Sequence, residues 1–191
     1  MHKIKTSVFF LALLTAWGAN GADDEIPSDG DITIFGSLTS ETCTIDANGI
    51  HKTVNLPVIS ASLLKKTGDE AGSTRFTISV FNCSPGVQEI GIHFDVNGTT
   101  FDPETGNLVN TAKLEDNPAS NVQIRLYDMK NGAVAPIPIG TNGSKFKLVP
   151  NEEKPDEGSG AVMKYAAGYY ATGTTTAGSV YAQAYYTLDY N

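Results

Sequence analysis

Cationic residues are scarce in this 191-residue chain: 13 Lys+Arg stand against 21 Asp+Glu, for a net charge of −8. Nucleic-acid binding needs Lys/Arg patches to neutralise phosphates, so the balance argues against that partner. It argues equally against docking on anionic lipid. Histidine is scarcer still, with three, and there are only two cysteines. Nucleophilic catalysis needs a nucleophile beside a positioned base. His51 and His93 lie in no recognisable motif, and there is no Gly-x-Ser-x-Gly elbow, His-Glu-x-x-His or phosphate loop. Gly140-Thr-Asn-Gly-Ser144 lacks the Lys-Ser/Thr ending and a following helix, and reads as a turn. A zinc site would need two N/S ligands beyond the cysteines, and neither histidine stands at ligand spacing from one. No enzymatic activity, metal or cofactor is therefore expected.

Long apolar runs are missing as well. The best, Val8–Trp17, is about ten residues where a bilayer needs about twenty, so no direct membrane insertion is expected. Its flanks give it another meaning. Lys3 and Lys5 precede it and Ala19-Asn-Gly-Ala22 follows, the three-part plan of a secretory signal peptide. Residues 1–22 are read as that signal, with cleavage after Gly21 or Ala22. Its removal leaves 169 residues and a net charge of −10, since two lysines leave and no carboxylate does; the single tryptophan, Trp17, goes too. Such a chain is one domain in size and buries roughly 70 % of its unfolded surface. Export places it in an oxidising compartment, where the lone pair Cys43 and Cys83 is expected to form a disulfide. A loop of about 40 residues closed in this way contributes roughly 4 kcal/mol in the chain-entropy model.

Short alternating segments make up the rest. Phe76–Val80, Ile90–Val96 and Val122–Tyr127 place apolar side chains at every second position, the period of half-buried strands. Ser84-Pro-Gly86, Asn97-Gly98, Asn131-Gly132 and Asn142-Gly143 supply turn chemistry between them. The pattern predicts an antiparallel sandwich. Only Ala61–Lys66 looks helical, and Asn151–Gly158 reads as a charged, solvated loop. The sequons at Asn82, Asn97 and Asn142 read as chance in a chain rich in Asn, Ser and Thr.

Both ends are unusual. Asp23–Asp31 is acidic and contains Gly and Pro, and it runs into Ile32, Ile34, Gly36 and Leu38 on one face. That stretch reads either as the first strand of its own sandwich or as a detachable extended segment. At the other end Gly178 opens a predicted strand with Val180, Ala182, Ala184, Tyr186, Leu188 and Tyr190 on one face, reaching the penultimate residue. Seven of the eight tyrosines fall in the last 27 residues.

Several landmarks appear in a fixed order. Gly36 stands seven residues before Cys43, and Cys83 follows Cys43 by 40. Leu63-Leu64 precedes Gly68, and Thr74-x-Phe76-x-Ile78-x-Val80 runs into Cys83. Val122-x-Ile124-x-Leu126 comes next, then Gly178 as the fourteenth residue from the end and the penultimate Tyr190. With them the chain resembles a fimbrial (pilin) subunit of the chaperone–usher pathway, of the type 1 major-subunit kind. The resemblance covers nearly all of residues 23–191. Thr42, where the family often has a small residue, the loop 151–158 and the dense C-terminal tyrosines depart from the pattern.

The resemblance implies an all-β fold: an incomplete immunoglobulin-like β-sandwich lacking its last strand, with an N-terminal donor-strand extension at residues 23–38 and a pilin domain at 39–191. It implies a donor strand carried by Ile32, Ile34, Gly36 and Leu38. It also implies a groove and chaperone contact along Gly178, Val180, Ala182, Ala184, Tyr186, Leu188 and Tyr190. The implied partners are identical or related pilin subunits in a head-to-tail polymer, a periplasmic chaperone and an outer-membrane usher. The implied destination, through the periplasm, is a surface fimbrium that supports adhesion. A minor adaptor or terminator subunit would share these motifs; a tip adhesin would need a second domain.

Overall fold

The computed structural model describes residues 33–36, 42–150, 152 and 158–190. The chain divides into two units, Met1–Leu38 and Thr39–Asn191. Of the first, residues 33–36 have no regular secondary structure, and Ile34 and Phe35 are 86 % and 91 % exposed. Ile32 and Leu38 lie outside the described residues.

The second unit is built from ten strands among its described residues: β1 (Thr44–Ile45), β2 (Glu70–Cys83), β3 (Glu89–Asp95), β4 (Leu108–Val109), β5 (Val122–Asp128), β6 (Ala135–Pro136), β7 (Phe146–Lys147), β8 (Val149–Pro150), β9 (Ser159–Ala171) and β10 (Tyr185–Tyr190). One α-helical turn, α1 (Ala47–Ile50), follows β1, with Asp46 accepting from the Asn48 N–H as its cap. The first sheet runs β1-β2-β9-β5-β4, with β6 beside β5 and β8 beside β9; the second runs β10-β3-β7. All of these strand pairs are antiparallel.

Alternation explains why the sheets face each other. Ile78 and Val80 on β2, Met163 and Tyr165 on β9, and Ile124 and Leu126 on β5 point inward from the first sheet. Ile90, Ile92 and Phe94 point inward from the second, and all nine belong to one core cluster. Ile90 and Ile92 are fully buried and Phe94 nearly so. Full burial of three such side chains contributes roughly 5–9 kcal/mol. Tyr165 sits at the centre, with Phe94 and Phe146 meeting it edge-on at 6.0 and 6.1 Å.

Some details differ from the sequence reading. Val96 does not continue the buried face of β3; it starts the turn through Gly98 and is exposed. Asn142-Gly143 is not a turn: Asn142 bridges to His93, whose Nδ1 lies 2.6 Å from the Asn142 side-chain oxygen. The helical signal at Ala61–Lys66 shrinks to a 3-10 turn at Ala61–Leu63, ended where Leu64 leaves helical backbone at φ −123° and ψ 67°. The predicted C-terminal strand is ladder-paired only over Tyr185–Tyr190.

Candidate functional site: an open seam beside the C-terminal strand

β10 stands at the edge of its sheet. It pairs with β3 from Tyr185↔Asp95 to Tyr190↔Ile90, and no strand pairs with its other side among the described residues. Its apolar face points into the core, yet Tyr186, Leu188 and Tyr190 are only half-buried, as are Val180, Ala182 and Ala184 before them. On β3, one strand away, the corresponding inward residues are buried. An edge strand with a half-covered apolar face is a template for another strand.

The opposite flank is a segment that sequence reasoning did not single out. From Cys43 the chain passes through β1 and α1 and then runs from Lys52 to Ile59 without regular secondary structure. Val54 and Leu56 pack against the main core, while Ile59 joins a small second cluster around Leu64, Ala119, Val122 and Ala171. Three contacts fix the direction. The Tyr190 hydroxyl accepts from the Cys43 N–H at 3.1 Å, and the Tyr186 hydroxyl donates to the Gly49 carbonyl at 2.8 Å. Val180 packs against the same small cluster as Ile59. Residues 43–59 therefore run antiparallel to 190–180, tied across by side chains, with no backbone hydrogen bond joining the two segments among the described residues. Burial raises the Tyr186 phenol above its ordinary pKa, keeping it a neutral donor.

The ends of the seam are anchored. Cys43 and Cys83 form a disulfide with S–S 2.05 Å, tying the start of the flanking segment to the end of β2. At the C-terminal end of β10, Lys145 Nζ pairs with Asp189 Oδ2 at 2.7 Å and donates to the Asp189 carbonyl. At the far end Asn110, also missed in the sequence, donates to the carbonyls of Ala119 and Ser179 and accepts from the Tyr181 N–H. Gly178 is pressed against the backbone there: a Cβ would stand 2.5 Å from Ala119 N and 2.7 Å from the Pro118 carbonyl carbon. Its glycine serves this close approach. Gly36 is different, because nothing lies within 4 Å of a Cβ built on it.

A two-sheet antiparallel sandwich with an unfilled edge and a disulfide at its mouth defines an immunoglobulin-like subunit of the pilin type. The chain belongs to the fimbrial protein family, whose model matches residues 32–191. It is 34 % identical over 194 residues to the F17 fimbrial protein of Escherichia coli, covering 100 % of this chain and 99 % of that one. It is 36 % identical over 170 residues to the major fimbrial subunit SMF-1 of Stenotrophomonas maltophilia, covering 86 % and 94 %. Among solved structures it is similar to an antigen and type I fimbria protein of Burkholderia pseudomallei, with a TM-score of 0.53 and 28 % identity over 78 % of this chain and 88 % of that one. The chain is thus a structural subunit of a surface fimbrium, assembled with other pilin subunits.

Proposed function

We propose that this fimbrial subunit polymerises by donor-strand exchange and that residues 23–38 of one subunit fill the seam of the next. The observation that carries this reading is the half-buried apolar face of β10 on an edge with no strand partner among the described residues. Ile32, Ile34 and Leu38 are the side chains that would complete the core, and burying them contributes roughly 5–8 kcal/mol beyond the ladder hydrogen bonds. Gly36 supports a donor role because its own surroundings leave open the space a side chain would take. Its glycine is then required by the neighbour's pocket. The head-to-tail contact does not close on itself, so a filament follows.

The exposed edge would aggregate if left bare. A periplasmic chaperone is therefore placed on Val180, Ala182, Ala184, Tyr186, Leu188 and Tyr190 until the outer-membrane usher exchanges it for the next donor. Residues 1–22 direct export, 23–38 are the donor extension and 39–191 the pilin domain. The role is structural and non-catalytic, and the fibre supports adhesion. The name of the 36 % identical relative, a major fimbrial subunit, favours a shaft role here. Deleting Asp23–Leu38 tests the reading: the variant should still be exported and folded but should form no heat- and detergent-resistant polymer. Resistant polymers from the deletion variant would refute the donor role.

A further inference from the structure

An open depression of about 970 Å³ is lined by the outward-facing Arg75, Thr77, Val162 and Lys164 of β2 and β9 and, deeper, by the core aromatics Phe76, Phe146 and Tyr165. Its floor lies on β2 and β9, where the register sets Arg75 opposite Ala166 and Thr77 opposite Lys164. Arg75 and Lys164 are thus diagonal neighbours on one face, and both are exposed. Lys52 stands on one wall, formed by residues 52–55, and residues 129–134 form the other. Val162 and Val134 add apolar surface at 55 % and 58 % exposure. No carboxylate lines this depression, although the chain carries 21 Asp+Glu. None of the three cations is in an ion pair among the described residues. The basic trough is therefore built into an acidic molecule, and its wall is the same segment that flanks the seam.

One stretch of this chain has the matching chemistry. Asp23–Asp31 holds five carboxylates, Asp23, Asp24, Glu25, Asp29 and Asp31, with Ile26 and Pro27 between them and no cation. We propose that this acidic leader of one subunit docks in the Lys52–Arg75–Lys164 trough of the neighbour whose seam its residues 32–38 fill. The inference rests on the donor reading above. Nine extended residues span about 30 Å, and the trough adjoins the seam through the shared 52–55 segment. Carboxylates pair with the three cations, and Ile26 and Pro27 lie on Val162 and Val134. Opposite charge on leader and trough raises the rate of productive encounter and makes assembly salt-sensitive.

The test uses fibres assembled from the full chain, with light and 15N-labelled subunits mixed. A zero-length carbodiimide joins carboxylates to lysine amines, and mass spectrometry maps the joined peptides. The expected result is inter-subunit coupling of Lys52 and Lys164 to the 23–31 carboxylates. A Lys52→Glu/Arg75→Glu/Lys164→Glu variant should assemble on the order of tenfold more slowly at low salt, with the difference vanishing in concentrated salt. Resistant fibres without those couplings, or with Lys52 and Lys164 coupled only to the 151–158 loop, would overturn this inference alone. An assembly rate for the triple variant equal to that of the unaltered chain would do the same. Failure of the unaltered chain to form resistant fibres would instead strike the donor reading, and this inference with it.

Discussion

Tyr165 shows how a single residue can be both central and imperfect. It is fully buried, its ring is surrounded by Phe76, Phe94 and Phe146, and its hydroxyl has no hydrogen-bond partner among the described residues. Burial raises its pKa, and the nearby charge of Asp128 raises it further. An unpaired buried hydroxyl costs about 1–3 kcal/mol, so Tyr165→Phe should leave stability unchanged or raise it by about 1 kcal/mol in urea unfolding. The pH dependence follows from the sign of the shift. The phenol is neutral in the folded state, while the unfolded chain ionises near pH 10, so stability present below pH 10 is lost as pH rises through that value and beyond. The variant should lose less stability than the parent between about pH 9.5 and 11. A markedly destabilised variant would show that the hydroxyl has a partner, and one with the parent's full alkaline loss would show that Tyr165 ionises in the fold as it does in the unfolded chain. Tyr190 works the other way: its ring faces the seam while its hydroxyl accepts from Cys43 across it.

At the scale of elements, alternation made β3, β5 and the centre of β2 legible. It left β9 unseen, although β9 is the strand between β2 and β5 and carries Met163 and Tyr165. Its sequence mixes these with Ala161, Ala166, Ala167 and Gly168, small residues that blur a period-two pattern; Val162 and Lys164 are exposed, but residues 165–168 are buried without alternation. The C-terminal stripe from Val180 to Tyr190 was legible as a face but not in its partners. Period two says which side chains share a side; it does not say that Ser179 and Tyr181 bond to residues 110–119 while Tyr185–Tyr190 pair with β3. The flank at 52–59 was invisible for a related reason. Val54, Leu56 and Ile59 are unremarkable in sequence, and a segment that forms no ladder leaves no local signature. Hydrogen exchange resolves this seam residue by residue. In the unpolymerised subunit, the amides of Tyr185–Tyr190 that face β3 should be protected and the alternate ones should exchange rapidly. In the fibre both sets should be protected, whereas alternate amides that exchange equally fast in both states would place the neighbour's strand elsewhere.

At the scale of the whole molecule, the core is large but its coverage is uneven. The disulfide, Asn110 and the Lys145–Asp189 pair hold the margins of the seam while its middle stays open. That arrangement suits a subunit whose last strand comes from another chain. It also explains why size alone misleads: the 169 residues expected after signal removal are enough for a self-sufficient domain, yet β10 keeps a half-covered face. The most direct measurement mixes two variants, each disabled on one side. One lacks residues 23–38; the other carries Ala184→Arg, which blocks the seam but keeps the donor segment. Neither should polymerise alone. Together they should form a one-to-one, detergent-resistant heterodimer that grows no further, because only one donor and one open seam remain. Polymer from either variant alone, or no heterodimer from the mixture when the unaltered chain forms resistant fibres, would contradict the donor-strand account.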